Sequence, residues 1–436
     1  MFAQNILPAL AIVGVAAAQT ATFCSQPTIT INSQADASPL ASCTSVPGTI
    51  VVGPNAANVL SLDGPTTVGS VICENAGGLT SLGSTTIETI NTDFTLTNLT
   101  LMSTLSFTEL TSAKNIKFSA LQALSSFTFP AIISKATTVV ITNTFLTTLN
   151  GFNFMSVASL DINNNNRLQK FDTQITNVTT QLTIDSNGQA LQVTLPNLRT
   201  VGNATFRNAS LVLIPSLSSV SGAIGFYGCN FESLSAPNLT SVGGTTQGAN
   251  GGGIAIVANS KLANISFPML KSVAGAAQIA NNTNLGAIDL PALSTVGGAI
   301  DLSGNFTTPT IPDLTLVAGG FNVQSQQQID CSLFDSLSAA KSNSQVIRGK
   351  YTCITTADAK SGVGSATGSG TATGTGAAAS GTSKAAAASY GVNSAAVGLS
   401  VVGGLLHLIC EVSIWFPYTT TLPVRNEAYH GWNTSI

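Results

Sequence analysis

Histidine occurs twice in the 436 residues, at His407 and His430, both downstream of everything patterned like a folded domain. A Ser-His-Asp triad or a histidine-ligated metal therefore has no imidazole to draw on. Carboxylates remain. Asp161, Asp172, Asp185, Asp289, Asp301 and Asp313 lie within the patterned region, and a pair of carboxylates can cleave a glycosidic bond without histidine. Asp161 and Asp185 stand about one repeat apart and Asp289 and Asp301 about half of one, but no basic residues frame either pair, as chemistry on acidic sugars would require. They are expected as solvated face or turn residues. Tyr227 and Tyr351 are the tyrosines of this region, which has no tryptophan, so aromatic platforms for stacking sugars are scarce. The cysteines make no CxxC metal pair, and the run GGTTQGANGGG lacks the lysine of a phosphate-cradling loop. No catalytic, metal or cofactor site is expected.

What positions these residues is a repeat. LPNLRTV, IPSLSSV, APNLTSV, FPMLKSV, LPALSTV and IPDLTLV share a Pro-x-Leu-x-x-Val frame, with prolines at 196, 215, 237, 268, 291 and 312. The intervals are 19, 22, 31, 23 and 21 residues, the long one containing a Gly-rich insert from Thr245 to Gly253. A unit this short cannot bury its apolar face alone, so successive units must stack. Apolar clusters too brief for helices and split by Gly, Asn and Ser predict strands. The Pro-x-Leu-x-x-Val segment is expected as one strand per coil, followed by a positive-φ glycine turn at Gly202, Gly222, Gly243, Gly275, Gly297 and Gly319. An Asn-x-x-Leu step at Asn143, Asn165, Asn208, Asn259 and Asn282 predicts inward asparagines that satisfy backbone groups at the bends. Between Ile50 and Ala190 the rhythm continues more irregularly; Pro130 keeps the proline but has Ile132 and Lys135 at the Leu and Val positions.

Residues 1–18 read as a secretory signal: the run ILPALAIVGVAAA ends on Ala16, Ala17 and Ala18, although no Lys or Arg precedes it. Only 8% of residues are charged and the net charge is -3. A nucleic-acid surface is therefore not expected. Sequons at Asn98, Asn177, Asn203, Asn208, Asn238, Asn264, Asn281 and Asn305 predict N-glycans that supply the solubility charges do not. Arg199, Arg207, Lys261 and Lys271 are expected along one side of successive coils, either meeting an anionic glycan phosphate or keeping the solenoid soluble and its strand edges unpaired. Of seven cysteines, Cys331 and Cys353 flank the end of the repeats and are expected to pair. Cys24 with Cys43 is favoured by proximity, with Cys43 to Cys73 left open; Cys73 and Cys229 are too many coils apart to bridge.

The segments FPAIISKATTVVITNT, LDINNNNRL, LPNLRTVGNATFRNAS, FPMLKSVAGAAQIANNTNL, LPALSTVGGAIDLSGNF and the closing CSLFDSL and VIRGKYTC resemble fungal GPI-anchored cell-wall-organisation proteins of the sporulation-specific and extracellular-mutant type. Their repeats are similar to the receptor L-domain. The resemblance covers about Cys24 to Cys353 and implies an all-β fold: a right-handed β-helix, a solenoid of leucine-rich-repeat character with disulfide-tied ends. It further implies a secreted, non-catalytic protein needed for wall assembly. Relatives often carry a cysteine within the segment RNAS, where this chain has Ala209, with Cys229 as a neighbouring substitute.

The expected order is signal peptide (1–18), β-solenoid (19–354), Ser/Thr/Gly/Ala-rich stalk with the GPI attachment region (355–394), hydrophobic tail (395–409) and an atypical extension (410–436). Ser380, Gly381, Ser383 and Ala385 are candidate attachment residues before the apolar run AAVGLSVVGGLLHLI. The extension carries both tryptophans and has the foreign composition an unspliced intron would leave. If translated, it makes Ala395 to Tyr418 an alternative membrane span interrupted by Glu411. The expected role is a cell-surface organiser of the fungal wall, with wall polysaccharides or mannoproteins and the GPI lipid as partners. A receptor-like or adhesin ectodomain is the alternative, and a polysaccharide-active β-helix enzyme the remaining one.

Overall fold

The computed structural model describes residues 22–125, 127–129, 133, 135–149, 152, 154–244 and 251–355. The expected signal, Pro130, Ile132, Thr245 to Asn250 of the insert, the stalk, the attachment residues, the tail and the extension lie outside the described residues.

The chain winds as a β-solenoid of about 13 turns. One face is a 20-stranded sheet, parallel throughout. Smaller parallel sheets run along another face: Ala57–Ser61 with Gly78–Ser84 and Thr104–Phe107, then Lys170–Asp172 with Gln192–Thr194 and Leu211–Leu213, then Ser233–Ser235 with Asn264–Ser266. Alternate residues of each main strand point inward, as in Ile300, Leu302 and Phe321, Val323, and stack on their counterparts in the next coil.

The repeat frame divides differently from its sequence expectation. Pro-x-Leu is not strand but a turn, and the strand begins only at the residue before the valine, as in Ser219–Val220, Ser272–Val273 and Leu316–Val317. In five of the six repeats the Leu N–H closes the turn on the carbonyl before the proline, as in Leu217 to Ile214 and Leu270 to Phe267, each at 3.2 Å. Proline is suited to the second position of such a turn because its φ is already set. The hydroxyls that follow stitch coils together. Thr176, Ser218, Thr240, Ser294 and Thr315 each donate to a carbonyl one coil earlier, at 2.8 to 3.1 Å.

The glycines after the valine serve contact rather than unusual φ. Of the six expected, only Gly243 has positive φ, at 95°. Gly202, Gly275 and Gly319 lie against the backbone of the coil before. Gly319 donates to Gly298 and Gly298 to Gly275, each at 2.8 Å, and a Cβ on Gly298 or Gly319 would come within 2.7 Å of the preceding glycine's carbonyl carbon. Gly298, not Gly297, is the stacked residue.

The left-handed residues are instead the corners that end the main strands: Asn75, Asn98, Ala120, Asn143, Asn164, Ser186, Asn208, Gly228, Ala258 and Asn281. Asparagine tolerates this conformation better than most residues. Expected ladder positions Asn143 and Asn208 are thus corners, while Asn165, Asn259 and Asn282 follow corners and point inward. Asn165 accepts from the Thr144 N–H at 3.0 Å and donates to Ile141 O at 2.9 Å; Asn187 accepts from the Asn165 N–H and donates to Ile162 O. Asn259 accepts from the Cys229 N–H at 2.8 Å and donates to Phe226 O; Asn282 repeats this one coil on. Between the two ladders stands Ala209.

Both ends are tied. Cys24 bonds Cys43 and Cys331 bonds Cys353, with Cα atoms 5.6 and 5.9 Å apart. Short helices Gln34–Ala37 and Ser332–Asp335 lie beside these bridges, the first held by a capping box between Ser33 and Asp36 and the second packing Phe334 on Phe321 at 5.0 Å.

Candidate functional site: the outer face of the main sheet

The residue just before each corner points outward at the edge of the main sheet. In successive coils these are Thr142, Asn163, Asp185, Arg207 and Tyr227, held in register by parallel pairing. One outward position earlier in the strand lie Val140, Asp161, Thr183, Thr205 and Gly225. Neighbouring strands are about 4.8 Å apart, so these positions form a continuous surface, polar except at Val140 and Gly225.

Within it the groups are linked. Thr142 donates to Asn163 Oδ1 at 2.5 Å, and Asn163 Nδ2 donates to Asp161 at 2.8 Å. Ser186 donates to Asp185 at 2.9 Å, and Arg207 Nε lies 3.5 Å from the other Asp185 oxygen. The guanidinium sits over the Tyr227 ring, 4.5 Å from its centroid. The ring lies across Gly225: a Cβ there would come within 2.6 Å of the Tyr227 hydroxyl. Glycine at 225 is thus what lets the tyrosine lie along the sheet. Burial raises the Asp161 pKa, and Asp185 adds to the rise while the Asn163 hydrogen bond opposes it. Burial also raises that of Tyr227. Planar groups in this arrangement offer donors and acceptors in pairs, suited to hydroxyls of a neutral sugar.

A second segment follows on the same column. Gln278 donates to Asp301 Oδ2 at 3.0 Å, Asn322 donates to its Oδ1 at 2.7 Å, and Gln324 donates to Asn322 at 2.8 Å. The intervening positions are small, Gly225 and Ala255.

The other sequence candidates disperse. Asp172 pairs with Lys170 at 3.6 Å in a small sheet, Asp289 bridges Thr310, and Asp313 is exposed in a Pro-x-Leu turn. The expected basic cluster does not form one surface: Arg207 belongs to the outer face, whereas Arg199 and Lys271 share the hydroxyl-rich edge with Ser218 and Thr240 between them. Tyr351 is no platform, since its hydroxyl donates to Cys331 O at 3.3 Å in the C-terminal cap. Cys73 and Cys229 are buried and unbridged, and burial pushes their thiols up to about 12 and about 11. They are inert packing thiols at neutral pH. Cys229 stands in the asparagine ladder and donates to Phe206 O at 3.5 Å. Among the described residues no cluster of His, Cys, Asp or Glu is arranged to hold a metal.

Sequence reasoning missed Asn163 and Arg207 as partners of the aspartates and Thr142 as the partner of Asn163. The signal was present: each immediately precedes an Asn at a corner, and those corner asparagines recur once per coil.

A family model for Ecm33, described as a GPI-anchored cell wall organization protein, matches residues 1–41. The chain is 38% identical to the protein ecm33 of Aspergillus fumigatus, over 83% of this chain and 89% of that one. It is 34% identical to a cell surface GPI-anchored protein of Arthroderma benhamiae, over 80% and 87%. With sporulation-specific protein 2 of Saccharomyces cerevisiae it shares 30% identity, over 61% and 51%. No solved structure matches. Solenoid, tied ends and this extent of identity agree: the chain belongs to the Ecm33 family of fungal GPI-anchored cell-wall-organisation proteins of the cell surface and wall.

Proposed function

We propose that the protein organises the wall without catalysis, holding a neutral wall polysaccharide against the outer face of its main sheet. The observation that carries this reading is the linked run Asp161, Asn163, Asp185 and Arg207, backed by Tyr227 and continued at Gln278, Asp301 and Asn322. A rigid solenoid of this length presents such groups over on the order of 60 Å at about 4.8 Å per coil. Many weak contacts to one extended polymer then add through effective concentration. The names of the three relatives above are those of wall, surface and sporulation proteins, and none names an enzyme.

N-glycans at the eight sequons fit this reading. Asn98, Asn208 and Asn281 are exposed corner residues and Asn238 and Asn264 are exposed, whereas Asn177, Asn203 and Asn305 are half-buried. Attachment through a lipid at one of Ser380, Gly381, Ser383 or Ala385 would tether the solenoid to the outside of the membrane.

One observation favours hydrolysis as a second reading: a carboxyl with a raised pKa, Asp161, beside Asp185. Against it, the pair sits on an open sheet face, where water is not excluded and the reacting bond would not be enclosed. The test is co-sedimentation of the protein with purified wall glucans, followed by analysis of the soluble products. Retention that falls at least several-fold in Arg207→Ala/Tyr227→Ala, with no shortened chains, supports the proposal. Chain shortening abolished by Asp161→Asn would establish the enzyme reading instead, and retention indifferent to the double substitution would remove the outer face as the site.

A further inference from the structure

We infer a second, anion-binding site at the bend between the Pro-x-Leu side and the main sheet in the middle coils, taking a phosphate ester carried by a wall glycan. A concavity of about 370 Å³ is lined there by Lys114, Lys135, Asn91, Ser112, Thr137 and Ser156, with Ile90 and Ala136 completing the wall.

Its position is unusual for this fold. Val68 pairs with Ile90 and Ile90 with Ala113, so Asn91 and Lys114 stand in the line that Gly69 occupies one coil earlier. At Gly69, Gly298 and Gly319 a Cβ would meet the backbone of the coil before. In the middle coils that line instead carries the side chains of Asn91 and Lys114, which wall the hollow.

The two lysines belong to adjacent coils that are bonded to each other: Ala113 N–H donates to Lys135 O at 3.1 Å and Thr137 N–H to Lys114 O at 2.7 Å. Two exposed lysines of adjacent coils therefore line the same hollow, and like charges gathered in one concavity attract an anion. Among the described residues no carboxylate lines the hollow. Glu88 and Asp93 are the acids of the coil before, and Asp93 is occupied by Asn115 Nδ2 at 3.0 Å. Among the described residues the ion pairs are Lys170 with Asp172 and Arg207 with Asp185, and neither Lys114 nor Lys135 has one. Lysine ammoniums act as point charges with several donors, and the hydroxyls and amide around them supply further donors, as a tetrahedral phosphate needs. Lys117 adds a third exposed cation on the outer face of the same strand. Because the protein resides at the wall, the anion is assigned to a phosphorylated glycan rather than to a lipid headgroup.

The experiment measures binding of the full-length, cell-derived protein to immobilised phosphorylated mannan and to the same mannan dephosphorylated by mild acid followed by a phosphatase. Vesicles containing phosphatidylserine serve as a third arm. Phosphorylated mannan is expected to bind more tightly, and Lys114→Gln/Lys135→Gln to reduce that binding roughly five- to tenfold with an unchanged melting temperature. Arg199→Gln/Lys271→Gln, which removes the same charge elsewhere, should leave it unchanged. Equal binding to both mannans, equal losses from the two double variants, or capture by vesicles that the mannan does not compete would each overturn the assignment. Retention on neutral glucan through Arg207 and Tyr227 is a separate readout, so the two sites fail independently.

Discussion

The coils from Thr89 to Asp185 and those from Thr200 to Ser325 build the same cross-section by different means. In the middle coils the interior is filled by phenylalanines: Phe94 lies 4.8 Å from Phe107 and 5.3 Å from Phe118, and Phe152 packs on Phe118 at 6.1 Å and Phe154 at 5.3 Å. In the later coils the backbones themselves touch, glycine on glycine, and strands are as short as two residues. A large side chain has several rotamers with which to fill a gap, so spacing there can drift. Backbone-to-backbone contact has no such freedom, and it enforces the Pro-x-Leu-x-x-Val frame. The outer-face site straddles the junction, with Asp161, Asn163 and Asp185 on one side and Arg207 and Tyr227 on the other.

The comparison breaks most visibly at Phe118. Phe118→Ala should cost about 3 to 5 kcal/mol, because three neighbouring rings leave a cavity that cannot collapse, measured by thermal or denaturant unfolding. In the later coils the matching lesion is polar. Asn259→Ala strands the Cys229 N–H and the Phe226 carbonyl, for a loss of roughly 2 to 4 kcal/mol. Gly298→Ala comes next, at about 1 to 3 kcal/mol from forcing apart two coils, whereas Gly286→Ala, with open space at its Cβ, should melt close to the parent. Equal effects at the two glycines would refute backbone contact as the source of the regular frame.

The smallest effect is electrostatic. The Asp161 pKa is raised in the folded protein, so the folded state holds that proton more tightly than the unfolded chain. Its contribution to stability is therefore fully present below the unfolded carboxylate range and lost as pH rises through the folded value. Asp161→Asn should flatten the stability profile in that acid window and leave the protein slightly more stable at neutral pH. An unchanged profile would show that Asp161 is more solvated than its surroundings imply.

The stacking, the strands and the tied ends were legible from sequence, because a 22-residue period and terminal cysteines are one-dimensional signals. The division of labour within each coil was less so. A proline next to a leucine fits a turn or a strand edge, and only the Leu217 to Ile214 hydrogen bond decides it. Glycine satisfies positive φ and close approach equally, so Gly298 was passed over for its neighbour Gly297. Asn143 and Asn165 look alike in sequence, yet one bends the chain and the other plugs the interior, since a single-residue shift turns the side chain inward. The outer-face site was hidden because its members are about 22 residues apart and become neighbours only when the register is fixed.

The most direct test of the account replaces the chromosomal copy with Arg207→Glu/Tyr227→Ala, a pair that leaves every asparagine ladder and every glycine-on-glycine backbone contact in place. Surface display is measured on intact cells alongside sensitivity to wall-binding dyes. The account predicts a normally displayed protein that fails to restore wall integrity. Full restoration at equal display would contradict it, and would assign wall organisation to some other part of the molecule.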